Sequence, residues 1–194
     1  MTEKTTQRQE PRSCGSCSLC CKLLSVPELE KPGNVWCQHA SPPGSGCAIY
    51  ATRPDGCRRF ICNWLRDLTL GNEWNPERSK IVLSASLGGR GLRVSVDPAA
   101  KDVWRSEPFY ARIKEWSSAT QAGIGYVAVF AGEQCFVVFP EEDLEVSLIT
   151  PGSALKVGYV ESEKGRQPIV QIRFAEGSVQ EFRGATYPIR GLGS

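Results

Sequence analysis

The sequence is poor in histidine: His39 is the only one among 194 residues. One histidine cannot supply the three-histidine or two-histidine–glutamate ligand set of an open catalytic zinc site. It also excludes a Cys–His or Ser–His–Asp triad unless that triad is built on His39 itself. The sequence therefore leaves open whether the protein is an enzyme, and it favours a protein that is not.

Long apolar runs and a one-sided charge are missing as well. No stretch approaches the roughly 20 apolar residues that cross a membrane, and 23 basic against 21 acidic residues leave a net charge of +2. The sequence therefore indicates neither a membrane nor a nucleic acid as a partner. Residues 1–13 are polar throughout and lack the apolar stretch of a secretory signal, which predicts a disordered lead-in and a cytoplasmic protein.

Cysteine, in contrast, is abundant. Eight of the nine cysteines lie within residues 14–62, and thiols stay reduced in the cytosol. A reduced cluster of this density is better explained by a bound metal than by disulfides, although a secreted chain whose signal has been removed would be stapled by disulfides instead. The predicted metal ligands are the eight cysteines of this segment: Cys14, Cys17, Cys20, Cys21, Cys37, Cys47, Cys57 and Cys62.

The segment "CGSCSLCC" contains two overlapping C-x-x-C pairs, Cys14/Cys17 and Cys17/Cys20. Two intervening residues let both thiolates of a pair reach one metal from a tight turn. If the segment is helical, Cys14, Cys17 and Cys21 share one face and Cys20 points away. If it is a loop, Cys14, Cys17 and Cys20 converge instead. In both cases we expect the adjacent Cys20 and Cys21 to serve different partners.

The remaining four cysteines are spread over residues 37–62 and do not fit an ordinary zinc ribbon. His39, two residues after Cys37, is a feasible ligand, but eight cysteines already satisfy two tetrahedral sites. Each four-thiolate zinc site would carry a charge of about −2, as would a [4Fe–4S] centre, so charge does not identify the metal. Four nearby cations could offset that charge: Lys22, Arg53, Arg58 and Arg59. Arg59 is better explained as solvated surface charge.

Composition divides the chain into a cysteine-cluster module at 14–72 and a second domain of unknown role at 75–190. The first is rich in Cys, Pro and Gly, can bury little apolar area and needs a metal to hold it together. The second alternates β-rich runs with turns. We therefore expect an α+β protein, with a small irregular metal-stapled N-terminal module followed by a mainly antiparallel sheet domain with one or two helices.

Specific predictions attach to three segments. The apolar residues of 58–71 have helical spacing, which places Cys62 near the first turn of a predicted helix. Residues 81–96 and 125–140 are predicted to form hairpins, because each contains two β-rich runs joined by a short turn. Cys135, in the second strand of the latter hairpin, is expected to be a small buried hydrophobe.

Two segments together carry a family resemblance. "CGSCSLCC" and "GCAIYATRPDGCRRFIC" are similar to the bacterial CxxCxxCC cysteine-cluster proteins, the YkgJ-like zinc- or iron-chelating domain. The resemblance covers residues 14–62, and it implies metal chelation by the eight cysteines. Tyr50 and Phe60 belong to the family pattern, and we expect them to cover the metal site rather than to bind a substrate, because a small metal-stapled module needs its apolar side chains around the metal. Lysine methylases that act on flagellin look related through a similar cluster, but no methyl-donor site can be mapped onto this chain.

Three functions follow from these observations. The favoured one is a metal-binding protein in which the thiolates hold one or two zinc ions in a structural role. The second is a protein that binds iron or an iron–sulfur cluster and has a redox or methyltransferase-related activity, because C-x-x-C-x-x-C resembles the start of a ferredoxin motif. The third is a secreted domain stapled by disulfides. The sequence names no protein partner.

Overall fold

The computed structural model describes five stretches of the chain, residues 11–40, 46–85, 91–121, 125–147 and 149–188. The predicted α+β class, with a mainly antiparallel sheet and few helices, is confirmed. The chain divides into two compact units, Met1–Ser84 and Ala85–Ser194, whereas the domain bounds predicted from composition stay a prediction. Within the five stretches no helix is long and apolar enough to cross a membrane.

The first unit consists mainly of turns, short 3₁₀ segments and four short helices. The helices are α1 (Cys20–Leu23), α2 (Asp55–Arg59), α3 (Asn63–Arg66) and α4 (Pro76–Ser79). Strand β1 (Ile81–Ala85) follows them. The start of α4 has a local cause, because the Asn75 side chain accepts a hydrogen bond from the backbone N–H of Glu77 and Pro76 occupies the first helical position.

The helix predicted over residues 58–71 is wrong in extent. Helix α2 ends at Arg59 and α3 begins only at Asn63, with the backbone extended at Phe60 and Cys62 between them. Cys62 is thus the residue that precedes α3. The apolar spacing of this segment reflects two short helices and not one long one.

Two interactions end α3 early. The Asp67 carboxylate accepts hydrogen bonds from the backbone N–H and the hydroxyl of Thr69, at 2.9 and 2.6 Å, and so favours a turn. The Arg12 guanidinium donates to the carbonyls of Trp64 and Asp67, at 2.7 and 3.1 Å, which satisfies groups that end the helix. Arg12 belongs to the predicted disordered lead-in, of which residues 1–10 lie outside the described residues.

The second unit contains two groups of strands and one long helix, α5 (Phe109–Gln121). In the first group the strands lie in chain order: β2 (Gly91–Val96), β3 (Tyr126–Ala131), β4 (Gln134–Val138) and β5 (Asp143–Val146). Strands β2 and β3 are parallel, and the other neighbours in this group are antiparallel. The second group is wholly antiparallel: β6 (Ala154–Ser162), β7 (Gly165–Arg173) and β8 (Val179–Arg183).

The hairpin predicted over 125–140 is confirmed as β3 and β4, which meet at a turn where Gly132 has φ +69°. Cys135 is fully buried on β4, as expected, in a core with Val137, Phe139 and Ile172. The strands predicted within 81–96 are present as β1 and β2. The glycine turn predicted between them falls on residues 86–90, which lie outside the described residues.

Candidate metal centre

All eight cysteines predicted as ligands line one cavity of the first unit, with a volume of about 230 Å³. Cys62 is buried and the other seven are half-buried. The two aromatic residues expected to cover the site, Tyr50 and Phe60, also line this cavity. The folding of the first unit therefore gathers sulfur atoms from four separate stretches of chain around one cavity.

The thiols are free. None of the nine cysteines is joined to another by a disulfide. Among the residues that the structure describes, no three Cys, His, Asp or Glu side chains are already placed to hold a metal ion. The donors thus fit a thiolate-binding metal in type and in shared location, and binding would have to draw the sulfur atoms closer together.

The first motif is a loop that leads into a short helix. The backbone N–H of Cys17 donates to the carbonyl of Cys14 at 2.8 Å, and Gly15 within this turn has φ +52°, which favours glycine. Helix α1 begins only at Cys20. The fully helical alternative is therefore wrong, because residues 14–19 do not continue α1, and the loop alternative is the one that the backbone adopts.

Backbone hydrogen bonds connect three of the other cysteines. The N–H of Cys37 donates to the carbonyl of Cys21 at 3.0 Å. Three residues after Cys37, Ala40 forms an antiparallel bridge with Cys47. Cys21, Cys37 and Cys47 are consequently held near one another by the main chain, independently of any metal.

Electrostatic effects place Cys57 in the same neighbourhood. Burial raises the pKa of the Cys57 thiol, and the thiols of Cys21, Cys37 and Cys47 raise it further, as does Glu28. A thiol influences the pKa of another in this way only when the two are close. Cys57 lines the same cavity as the three cysteines that the backbone connects.

The remaining cysteines influence one another in a second group. Burial raises the pKa of Cys62, and Cys14 and Cys17 add to that shift. The Cys20 thiol donates a hydrogen bond to Cys21, which raises the pKa of Cys20, and Cys17 and Cys14 act on Cys20 in the same direction. The adjacent Cys20 and Cys21 are thus the point at which the two groups meet.

The cations predicted to offset the charge of the cluster lie in different surroundings. Arg53 is one of three groups that lower the pKa of the Cys21 thiol. The hydrogen bond from Cys20 has the largest effect, and the charges of Lys31 and Arg53 add to it. The Arg58 side chain donates to the backbone carbonyls of Arg53 and Ala51, at 2.8 and 3.2 Å. The other two have different partners, with Lys22 over the Trp36 ring and Arg59 close enough to Glu28 to act on its pKa.

Sequence reasoning missed Lys31, a buried residue whose charge lowers the pKa of Cys21. No sequence signal marks it, because a lysine between Glu30 and Pro32 is typical of an exposed turn. His39 lines the cavity, and its Nε2 lies 3.4 Å from Nε2 of Gln38. Its role as a ligand stays open.

No protein-family model, curated protein or solved structure matches the chain. The functional argument consequently depends on the residues of the cavity.

Proposed function

We propose that the chain is a metal-binding protein that holds zinc or iron through its cysteine cluster, in a structural role. The observation that carries the proposal is the convergence of all eight cysteines of residues 14–62 on one cavity, with no disulfide among them. The ninth, Cys135, is buried in the core of the second unit. The resemblance to the YkgJ-like chelating domain, which the same cysteines carry, points to the same chemistry.

The cysteines would form two sites of four thiolates each. The first proposed site comprises Cys14, Cys17, Cys20 and Cys62, and the second comprises Cys21, Cys37, Cys47 and Cys57. This division is supported by the backbone hydrogen bonds that link Cys21, Cys37 and Cys47, and by the effects of Cys14 and Cys17 on the pKa of Cys62 and of Cys21, Cys37 and Cys47 on that of Cys57. Four thiolates complete a tetrahedral zinc site and leave no open position for a substrate, which argues against catalysis at the metal.

A metal would act as a staple for the first unit. Helices α1 to α4 contain four or five residues each, too few to be stable on their own. Structural zinc contributes binding free energy directly to folding, with apparent values of about 10–16 kcal/mol in small zinc domains at neutral pH. We therefore infer a metal-stapled module, in which the ion supplies what a small apolar core cannot.

The test is elemental analysis of the purified full-length chain together with its absorption spectrum. We expect two metal ions per chain, and colourless protein if they are zinc. A brown sample that absorbs near ~400 nm and bleaches with dithionite would identify an iron–sulfur protein instead. A metal-free sample whose cysteines remain unreactive after denaturation without reductant would contradict the proposal and favour disulfides.

Variants with one cysteine replaced test the division into two sites. We expect Cys14→Ser to lose metal from the first proposed site and Cys57→Ser to lose metal from the second. Because metal binding is coupled to folding, each substitution should also unfold much of the first unit. Retention of full metal content and thermal stability by either variant would count against its assignment. Cys135→Ala is the matched control.

A further inference from the structure

Lys31 is a buried cation in the first unit, with 7% of its surface exposed. Its backbone is fixed by an antiparallel bridge to Val26. Its Nζ donates hydrogen bonds to three main-chain carbonyls, those of Lys22 at 3.1 Å, Pro32 at 2.9 Å, and Leu24. Three acceptors require three N–H donors, and only the protonated ammonium has three, so this side chain carries a positive charge.

In the part of the chain that the structure describes, the ammonium of Lys31 is bound by main-chain carbonyls rather than by an acidic side chain. In the stretches that the structure describes, no aspartate or glutamate forms an ion pair with this lysine. A buried charge without a countercharge is costly, because carbonyl dipoles replace only part of the lost hydration. Such a residue indicates that an anionic group belongs nearby.

The ammonium of Lys31 lies against the main chain just after Cys21, because two of its acceptors are the carbonyls of Lys22 and Leu24. The Cys21 thiol can become anionic. Burial lowers the pKa of Lys31, and four cysteines oppose that shift: Cys37, Cys21, Cys20 and Cys57. Three of these four belong to the second proposed site. Neutral thiols are poor countercharges, whereas thiolates bound to a divalent metal leave a net charge of about −2 on a four-cysteine site.

We propose that Lys31 is a positioning residue of the second proposed site, where its ammonium offsets the negative charge of the thiolates of Cys21, Cys37 and Cys57 when they bind metal. This inference rests on the proposed function and adds to it, because it names the residue that favours metal binding at one site over the other. Groups just outside the ligands of a metal site commonly change metal affinity 10–100-fold when replaced, and we expect an effect of about that size.

Four variants of the full-length, metal-loaded chain separate charge from hydrogen bonding. Lys31→Arg keeps the charge and the donors, Lys31→Gln keeps amide donors without the charge, and Lys31→Met removes both. Lys80→Met is the matched control, because the Nζ of this exposed lysine of the same unit donates to the carbonyl of Glu77. Metal is withdrawn with increasing chelator, and mass spectrometry after alkylation identifies which cysteines become reactive.

The result expected is selective. In Lys31→Gln and Lys31→Met, the cysteines at 21, 37, 47 and 57 should become reactive at a chelator concentration about 10–100-fold lower than in the unsubstituted chain. The cysteines of the first site should become reactive at the same chelator concentration as in the unsubstituted chain. Lys31→Arg and Lys80→Met should behave as the unmodified chain does. If Lys31→Gln releases metal at the same chelator concentration as the unsubstituted chain, the charge role is wrong. If Lys31→Gln loses metal equally from both sites, Lys31 has only a general structural role.

Failure of the proposed function gives a different result. If the unmodified chain holds no metal, the proposed function and the role of Lys31 both fail. If it holds two ions and Lys31→Gln releases them like the unmodified chain, only the role of Lys31 fails. Should Lys31→Met not fold, the comparison of Lys31→Gln with Lys31→Arg still decides the outcome.

Discussion

The ninth cysteine, Cys135, differs from the other eight in its surroundings. It is fully buried on β4 and packs in a core with Val137, Phe139 and Val146. Burial raises the pKa of its thiol to about 12, so the thiol is neutral at physiological pH. A neutral, inaccessible thiol is a poor metal ligand and a poor nucleophile.

We expect Cys135→Ala to keep the full metal content and to lower the free energy of unfolding by about 1 kcal/mol, the usual cost of a small buried truncation. Elemental analysis and urea denaturation measure the two quantities. Cys47→Ala, which removes a cysteine of the cavity, is the comparison and should lose metal. A drop in metal stoichiometry for Cys135→Ala would show that Cys135 is a ligand after all.

At the scale of elements, a buried carboxylate connects β5 to helix α5 and the 3₁₀ turn before it. The Asp143 side chain is 7% exposed. Its Oδ2 lies 3.0 Å from Arg105 and accepts a hydrogen bond from the Tyr110 hydroxyl at 3.2 Å, and its Oδ1 lies 2.8 Å from Nζ of Lys114. Two cations and one hydroxyl therefore depend on a single acidic residue.

Removing that carboxylate takes the acidic partner from two cations, although Lys114 keeps its hydrogen bond to the Phe139 carbonyl and Arg105 stays over the Trp104 ring. We expect Asp143→Ala to lower the free energy of unfolding of the second unit by about 3 kcal/mol, and Asp143→Asn, which keeps an acceptor, by less. The exposed Glu145 on the same strand is the control, and Glu145→Ala should change stability by less than about 0.5 kcal/mol. Equal effects at the two positions in chemical denaturation would contradict a special role for Asp143.

The helices and strands show which structural features the local sequence pattern predicts and which it does not. Alternating β-rich sequence with a short glycine turn predicted β3 and β4, because a hairpin depends on neighbouring residues. The contribution of Arg12 to the early end of α3 was not predictable, since Arg12 binds the Trp64 carbonyl from more than fifty residues away along the chain. The parallel pairing of β2 with β3 was likewise missed, because it depends on a crossover connection that includes α5.

At the scale of the whole molecule, the two units differ in what holds them together. The second contains two groups of paired strands and a continuous apolar core, whereas the first consists mainly of turns and short helices around the cysteine cavity. If metal staples only the first, its removal should affect the units unequally.

We expect a chelator to abolish hydrogen-exchange protection in residues 14–66 while β4 and β7 keep theirs. Mass spectrometry of exchanged peptides measures both in one sample. The same chelator presaturated with zinc is the control and should change nothing. Simultaneous loss of protection in both units would contradict separate stabilisation and indicate one cooperative folding unit.

The sequence by itself determined the chemistry and the local elements: the number and spacing of the thiols, the hairpin of β3 and β4, and the burial of Cys135. These depend on residue type and on neighbours along the chain. Only the tertiary structure decided that the eight thiols line one cavity and that Lys31 is buried. Those features depend on contacts between distant segments, whose closeness no local pattern encodes.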